Sequence, residues 1–351
     1  MYRIRTFNKI SPVGLNRLDP ALYAVSDSET DEDAILVRSA KLLDYDFPKN
    51  LLAISRAGAG VNNIPVAACA EKGIVVFNTP GANANAVKEL VIAGLLISSR
   101  RVVSGIEWAK TLKGDGAEVG KEVEKGKGAF AGPEIKGKTI GVIGLGAIGV
   151  MVANAANALG MKVFGYDPYL SVKSAWNLTH NAVHIFDINE IFEKCDYITV
   201  HVPLTDSTKN LINATAIAKM RDGVRILNFA RGGLVNSADL LAALESGKVA
   251  SGAQGVIAIP HLGASTPESE DNCAGMAAKE LIDYIENGNI VNSVNLPEIV
   301  MPRSGESRIC VIHKNIPNML TAITGIFAGN NVNIENLLNK SRGDYAYTML
   351  D

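Results

Sequence analysis

The stretch TIGVIGLGAIG, residues 139–149, is a run of apolar residues that leads into a glycine-rich turn. Its first five residues, Thr139–Ile143, have the uncharged character of a strand that is buried on both faces. Gly144, Gly146 and Gly149 follow at the spacing G-x-G-x-x-G, and a helix-forming sequence comes directly after them. A strand, a tight turn and a helix in this order predict one unit of a doubly wound α/β fold.

The same turn predicts a dinucleotide site. Its glycines permit the close approach of a pyrophosphate, whose charge is stabilised by the N–H groups at the start of the following helix. Asp167 directly follows the next predicted strand, Lys162–Tyr166, 18 residues after Gly149. A carboxylate there accepts hydrogen bonds from the adenosine ribose and repels the 2′-phosphate of NADP, so the sequence predicts NAD. The alternative is a packing turn beside an ordinary capping aspartate.

Apolar runs alternate with amphipathic stretches on both sides of this turn, which predicts two doubly wound domains with parallel sheets. The candidate strands are Ile4–Phe7, Ala34–Val37, Leu51–Ile54, Ile74–Phe77, Thr139–Ile143, Lys162–Tyr166, Asp196–His201, Val224–Phe229 and Val256–Pro260. The candidate helices are one that starts at Pro65, a long one over Asn85–Lys110, Ser237–Ser246 and Pro267–Glu286. Lys113–Pro133 has little periodicity and predicts an exposed loop, and Asn292–Arg303, which holds two prolines, predicts a linker.

Composition narrows the function classes. A chain of 351 residues is longer than a single hydrophobic core usually supports, so two or three domains are expected. The net charge of −2 and the absence of a basic stripe argue against a nucleic-acid partner. Four scattered cysteines predict reduced thiols in the cytoplasm and no metal site. The uncharged stretch Thr139–Met161 is long enough to span a bilayer, but its five glycines favour a buried strand, turn and helix.

Two polar residues follow predicted strands of the second domain, where the carboxyl ends of the strands face a ligand crevice. His261 follows Val256–Pro260, and a histidine there can exchange a proton with a hydroxyl group near neutral pH. The alternative is a hydrogen-bonded histidine at a strand end. Arg231 follows Val224–Phe229 and precedes two glycines, and its planar guanidinium suits a carboxylate.

Two more arginines end neighbouring strands of the first domain. Arg38 follows Ala34–Val37, and Arg56 follows Leu51–Ile54. Residues 57–60 then offer backbone donors in a turn, so this edge predicts a site for a phosphate or a second carboxylate. The alternative is that both arginines are solvated.

Together these motifs resemble the D-isomer-specific 2-hydroxyacid dehydrogenases. The resemblance covers nearly the whole chain and rests on Arg38-Ser39, Asn78–Asn83, Gly144–Gly149, His201–Leu204, Asn228–Gly233 and Pro260–Thr266. It implies an NAD-dependent enzyme, most similar to members that oxidise 3-phosphoglycerate on the way to serine. The alternatives are a dehydrogenase or reductase of another D-2-hydroxy acid, such as glycerate or glyoxylate, and a catalytically weak NAD(H)-binding sensor. The apolar helix Asn85–Lys110 indicates a homodimer or a higher homo-oligomer.

The resemblance also implies domains and site residues. A flavodoxin-like substrate-binding domain would comprise residues 1–84 and 265–298, a Rossmann NAD-binding domain residues 85–264, and a truncated α+β ACT-like regulatory domain residues 307–351. His261 would take the proton from the C2 hydroxyl, and Arg231 would hold the substrate carboxylate. The implied substrate-binding residues are Arg38, Ser39, Arg56, Ala59, Gly60 and Asn83. The implied cofactor-binding residues are Gly144, Gly146, Ala147, Ile148, Gly149, Asp167, His201, Pro203, Thr208, Phe229, Ala230, Gly263 and Ala264.

The sequence departs from the family in the segment before His261 and in the tail. The family has a glutamate between the arginine and the histidine that orients the histidine, whereas here only Asp239 and Glu245 lie there, both within a predicted helix. Gly255 stands where the family has an aspartate on the nicotinamide side. The ACT-like tail ends after its third predicted strand, and its His313 and Asn315 match the stretch that contacts serine in feedback-inhibited members. Because the orienting glutamate is missing, we expect slow turnover. The resemblance implies serine as the ligand of the tail.

Overall fold

The computed structural model describes residues 1–114, 116–250 and 256–351. Internal contacts divide the chain into two compact units. Met1–Asn83 and Ser265–Asp351 form one of them, which we call the terminal unit, and Ala84–Ala264 form the other, the central unit.

The terminal unit begins with a five-stranded parallel sheet of strand order β2-β1-β3-β4-β5, as in flavodoxin-like folds. Its strands are β1 (Tyr2–Phe7), β2 (Tyr23–Ser26), β3 (Ala34–Val37), β4 (Ala53–Arg56) and β5 (Val75–Asn78), and its first helices are α1 (Pro12–Leu15) and α2 (Val66–Glu71). Every residue of β3 is buried, as its uncharged sequence predicts. The sequence did not reveal β2, a four-residue strand at the sheet edge.

The central unit opens with helices α3 (Ala84–Ser99), α4 (Val102–Thr111) and α5 (Val119–Gly126), and with two 3₁₀ helices, Gly116–Glu118 and Lys127–Phe130. There follow β6 (Thr139–Ile143), α6 (Ala147–Ala158), β7 (Lys162–Tyr166), α7 (Val172–Asn177), β8 (Val183–His184), α8 (Ile188–Lys194), β9 (Tyr197–Val200), α9 (Ala214–Lys219), β10 (Arg225–Asn228), the 3₁₀ helix Gly232–Leu234 and α10 (Ser237–Glu245). All pairs in this sheet are parallel, in the order β10-β9-β6-β7-β8. This is the Rossmann order, with its topological switch point between β6 and β9.

The chain then returns to the terminal unit through α11 (Pro267–Asn287) and ends with β11 (Ile309–Lys314), α12 (Met319–Gly329), β12 (Leu337–Arg342) and β13 (Tyr345–Leu350). The last three strands form an antiparallel sheet of order β11-β13-β12, which is compatible with an ACT-like fold. Tyr347 and Met349 of the central strand join the same hydrophobic core as Phe77 and Leu281. The two predicted doubly wound sheets and the small α+β tail are confirmed.

Two predictions in the central unit were wrong. The long helix predicted over Asn85–Lys110 is interrupted between α3 and α4, where Gly132 packs against the backbone of Ser99 and Arg100. Lys113–Pro133 is not a plain loop, because α5 and the flanking 3₁₀ helices occupy much of it. Ion pairs between residues three apart support these helices, and the rings of Trp108 and Phe130 pack with centroids 5.1 Å apart.

Two further segments also differ from expectation. Val256–Pro260 forms no strand and is exposed. The strand prediction was wrong because the pattern of a short apolar run does not by itself identify a strand. Asn292–Arg303 is not a loose linker, because its first residues pack along the edge of β5. The buried Asn295 side chain accepts a hydrogen bond from the Val76 amide at 2.9 Å and donates one to the Ile74 carbonyl at 2.8 Å, so it replaces a neighbouring strand.

Candidate active site

The glycine-rich turn lies at the carboxyl end of β6. Gly144 adopts φ +91°, and a Cβ there would stand 2.7 Å from the His201 carbonyl oxygen, so only glycine fits without strain. Gly149 packs its Cα directly against the Gly144 carbonyl. Gly146, by contrast, has no atom within 4 Å of its Cβ position. The turn is thus closed on the protein side and open at Gly146, as the approach of a pyrophosphate requires.

Helix α6 starts at this open glycine. Gly146 is its N-cap and provides no side-chain hydrogen bond. The first-turn N–H groups, which include those of Ala147 and Ile148, have no partner within the helix. They can therefore donate to a phosphate, and the helix dipole favours the negative charge.

Asp167 is fixed beside the turn at the end of β7. Its Oδ2 accepts a hydrogen bond from the Leu145 amide and its Oδ1 one from the Tyr169 amide, each at 2.8 Å. Each carboxylate oxygen can accept a further bond, so the group can still bind a ribose diol. The residues present therefore fit a dinucleotide with a free 2′-hydroxyl.

His201 lies directly after β9, next to the glycine turn. Its amide donates to the Ile143 carbonyl at 2.7 Å, and its Nε2 lies 3.0 Å from the Oγ1 of buried Thr199. Desolvation lowers the pKa of His201 to about 4, so the ring is neutral at pH 7. Further along, Thr208 donates to the Pro203 carbonyl at 2.6 Å and fixes that loop. This environment suits a residue that lines a cofactor better than one that exchanges protons.

Arg231 follows β10 on an exposed loop whose shape is set by Asn228. The Asn228 side chain donates to the Arg231 carbonyl at 2.8 Å and accepts from the Ala230 amide at 3.1 Å. Phe229 anchors the loop against Gly94 of α3. In the described part of the central unit no carboxylate lies within 4.0 Å of the Arg231 guanidinium. Its charge is therefore available to an anionic ligand.

His261 lies on an exposed bend rather than at the end of a strand. Gly263, two residues on, packs against Val87 of α3, and Ala264 closes the central unit. Within the described residues of that unit no carboxylate lies within 4.0 Å of the His261 ring. Asp239 is engaged elsewhere, since it accepts from the Ala214 amide at 2.8 Å. Gly255 lies outside the described residues.

The two arginines of the terminal unit lie side by side. Arg56 ends β4 in register with Val37 of β3, and its Nε donates to the Arg38 carbonyl at 3.1 Å. The Arg38 guanidinium forms an ion pair with Glu270 of α11, with Nη2 and Oε1 2.7 Å apart. Sequence reasoning missed Glu270. An acidic residue in the first turn of a helix was visible, but its partner was not.

The neighbouring backbone is partly committed to the fold. The Ser39 amide donates to the Asn8 side chain at 2.9 Å, so this backbone group already has a partner. The Ala59 carbonyl accepts from the Asn78 side chain at 2.6 Å, which holds the turn that contains Gly60. Asn83 is the last residue of the first segment of the terminal unit.

The predicted regulatory residues are engaged within the tail. The His313 ring lies 2.8 Å from the Lys314 carbonyl and 2.9 Å from the Thr348 hydroxyl. Asn315 donates from its side chain to the Gly343 carbonyl at 3.1 Å. Asn318, the residue before α12, has φ +69°, a conformation that asparagine tolerates better than most residues.

No helix in the described ranges combines the length and the apolar character needed to span a bilayer. In the same ranges no cluster of three or more histidine, cysteine, aspartate or glutamate side chains is arranged to hold a metal ion.

Comparison with known proteins shows what this chain is similar to. Residues 94–262 match the family model described as D-isomer specific 2-hydroxyacid dehydrogenase, NAD binding domain. The chain is 35% identical over 332 residues to a D-3-phosphoglycerate dehydrogenase of Bacillus subtilis, a match that covers 85% of the chain and 59% of that protein. Among the first curated relatives the chain spans between 51% and 59% of their length.

Solved structures agree. An NAD⁺-bound 3-phosphoglycerate dehydrogenase from Entamoeba histolytica superposes with a TM-score of 0.65 at 27% identity, over 84% of this chain and 98% of that one. A glyoxylate reductase from Paecilomyes thermophila superposes with a TM-score of 0.68 at 25% identity, over the same shares of the two chains. The fold is thus shared with proteins named for different substrates.

Proposed function

Because the chain belongs to the D-isomer-specific 2-hydroxyacid dehydrogenase family, we propose that it is an NAD-dependent enzyme that oxidises D-3-phosphoglycerate to 3-phosphohydroxypyruvate. The observation that supports this substrate is the pair Arg38 and Arg56, whose adjoining positions at one sheet edge provide two cations for a phosphate.

The central unit provides the groups for oxidation at C2. NAD, when bound, supplies the acceptor for the hydride that leaves C2. Arg231 has no acidic partner in the described part of this unit, so its charge is available to a ligand. Its guanidinium holds the substrate carboxylate and polarises the C2 oxygen. His261 accepts the proton of the C2 hydroxyl through its exposed ring. Gly146, the α6 amides and Asp167 bind and orient the dinucleotide.

The remaining parts of the proposal concern assembly and regulation. The exposed apolar side chains of α4, Val102, Val103 and Ile106, are the surface through which we expect a homodimer. Cys69, Cys195 and Cys273 are buried free thiols, as suits work in the cytoplasm. The tail, with His313 and Asn315, is the candidate site for serine, the end product that this reaction would lead to.

A second candidate function is an NAD(H)-binding sensor of low turnover. It is favoured by His261, which has no carboxylate within 4.0 Å among the described residues of the central unit. Reduction of glyoxylate or oxidation of glycerate is the third, because a structure similar to this chain is a glyoxylate reductase.

Turnover by the purified full chain separates these candidates. NADH formation would be followed with 3-phosphoglycerate and with D-glycerate as substrates, for the unmutated protein and for Arg38→Ala and Arg56→Ala. Each substitution should raise the KM for 3-phosphoglycerate about tenfold or more, since a hydrogen bond to a charged group contributes about 1.5–3 kcal/mol. D-Glycerate should be nearly unaffected, and Arg17→Ala, on an exposed site of the same unit, is the control. Equal losses for both substrates would assign the two arginines a structural role.

A further inference from the structure

Arg38, the first of the two phosphate-binding candidates, already has an anionic partner within its own unit. Its guanidinium nitrogen lies 2.7 Å from the Glu270 carboxylate. We propose that Glu270 is a specificity-determining residue, an internal carboxylate that competes with the phosphate of the substrate for Arg38. This inference rests on the proposed function, because it assigns the phosphate to Arg38.

The arginine side of the pair is held from two directions. The Arg38 carbonyl accepts a hydrogen bond from the Arg56 Nε at 3.1 Å. The next two amides, of Ser39 and Ala40, both donate to the Asn8 side chain, at 2.9 and 2.6 Å. Three hydrogen bonds therefore hold the backbone at Arg38, at the end of β3.

Hydrogen bonds also hold the backbone around Glu270. Glu270 lies in the first turn of α11, where its amide donates to the Thr266 carbonyl at 3.1 Å. On one side of it, buried Ser269 donates its amide to the Thr266 hydroxyl, also at 3.1 Å. On the other side, the Asp271 carboxylate accepts from the Ser11 hydroxyl. Because both backbones are fixed, the two side chains meet without a loss of main-chain freedom.

This pairing affects one class of ligand only. An anion that binds Arg38 must first displace Glu270. The free energy of the ion pair is then lost, and the apparent affinity for the anion is lower by the corresponding factor. The two side chains are 38% and 43% exposed, so solvent weakens the pair and the effect is about two- to fivefold. A dianionic phosphate can displace a single carboxylate, whereas a 2-hydroxy acid without a phosphate has no group for Arg38 and is unaffected. Glu270 therefore sets the ratio of affinities for phosphorylated and unphosphorylated substrates.

The variant Glu270→Gln tests this directly, because it removes the charge and keeps the size of the side chain. Its KM for 3-phosphoglycerate should fall about two- to fivefold with kcat unchanged, while the KM for D-glycerate stays constant. The control Glu268→Gln removes the same charge from the same turn. In the described part of the terminal unit Glu268 has no ion pair within 4.0 Å. The ratio of the KM values for 3-phosphoglycerate and D-glycerate should therefore not change in Glu268→Gln. In an Arg38→Ala background, Glu270→Gln should have no effect.

A rise in the KM for 3-phosphoglycerate in Glu270→Gln would overturn the inference, since it would mean that Glu270 orients Arg38 for binding. An unchanged KM would overturn it as well. Thermal unfolding followed by circular dichroism shows whether the variants are folded.

A second measurement separates failure of the inference from failure of the proposed function. If the unmutated protein does not oxidise 3-phosphoglycerate, the proposed function is wrong, but competition at Arg38 can still be measured. Inorganic phosphate titrated calorimetrically should then bind Glu270→Gln about two- to fivefold more tightly than the unmutated protein. Arg38→Ala should abolish that difference. Equal phosphate affinity in the unmutated protein and in Glu270→Gln would overturn the inference.

Discussion

The carbonyl oxygen of His201 lies 2.7 Å from the point where a Cβ on Gly144 would stand. These residues directly follow β9 and β6, the two neighbouring strands between which the sheet order reverses. The His201 amide donates to the Ile143 carbonyl, so the two strand ends are hydrogen-bonded up to the point where they diverge. The nucleotide turn is therefore shaped by the neighbouring strand as well as by its own glycines.

This relationship predicts different outcomes for alanine at two glycines of one motif. Gly144→Ala would meet the His201 carbonyl and force φ +91° on a residue with a Cβ, so it should lower the free energy of unfolding by about 1–3 kcal/mol. Gly146→Ala meets no atom within 4 Å and should unfold like the unmutated protein. It should instead weaken NADH binding, because its methyl group occupies the approach of the pyrophosphate. Urea unfolding and NADH fluorescence titration measure the two effects, and equal stability of both variants would contradict the prediction.

Asp167 should set the choice of cofactor. Its carboxylate stands at the end of β7, where a 2′-phosphate would be repelled, so NAD should bind more tightly than NADP. Asp167→Ala should narrow that difference and also weaken NAD binding, because the Leu145 amide loses its acceptor. Asp187→Ala, which removes a capping carboxylate of α8 in the same unit, is the control. Equal affinity of the unmutated protein for both cofactors would refute the assignment.

His201 should make the stability of the protein depend on pH. Its folded-state pKa, about 4, lies below the ordinary value of 6.5, so the unfolded state binds more protons between these values. The resulting stability is present above pH 6.5 and is lost as the pH falls toward 4. Between pH 7 and pH 5 the unmutated protein should lose about 1–2 kcal/mol that His201→Gln does not lose. Urea unfolding at both pH values measures this loss, with the exposed His184→Gln as control; the same loss in His201→Gln would assign it to other groups.

His261 should limit catalysis more than binding. A proton acceptor without an orienting carboxylate is displaced more easily, and an error of one ångström can cost about a hundredfold in rate. We therefore expect NADH to bind measurably while kcat stays below the usual range of about 1–10³ s⁻¹. His261→Ala should remove the remaining turnover, and His180→Ala, of an exposed histidine, should not. A kcat within the usual range would mean that another carboxylate orients His261.

Serine should inhibit weakly. Both ring nitrogens of His313 have partners within the tail, the Lys314 carbonyl and the Thr348 hydroxyl, so a ligand would have to displace one of them. Turnover measured against rising serine concentration should change little. Strong inhibition that His313→Ala abolishes, with Lys340→Ala as an exposed control in β12, would show that the tail forms a working regulatory site.

The parallel sheets and the nucleotide turn could be predicted from the amino-acid sequence. Strand β6 and the glycines at residues 144, 146 and 149 were predictable because their signals are local: an uncharged strand, a turn that needs glycine, and a helix directly after it. Strand β3 was predicted at its observed bounds for the same reason. The side-by-side position of Arg38 and Arg56 followed from their places at the ends of neighbouring parallel strands.

Features that depend on residues far apart in the chain became visible only in the folded structure. The ion pair of Arg38 with Glu270 joins the residue that follows β3 to one in α11, and no local pattern links them. The side-chain amide of Asn295 forms hydrogen bonds with the backbone at Val76 and Ile74 and so replaces a strand beside β5. The sequence of this proline-containing segment gives no sign of these hydrogen bonds. Val256–Pro260 has the composition of a strand but stays exposed, since apolar character does not provide a hydrogen-bonding partner. Local sequence sets the conformations a segment can adopt, whereas pairing depends on which distant segments the fold brings within hydrogen-bonding distance.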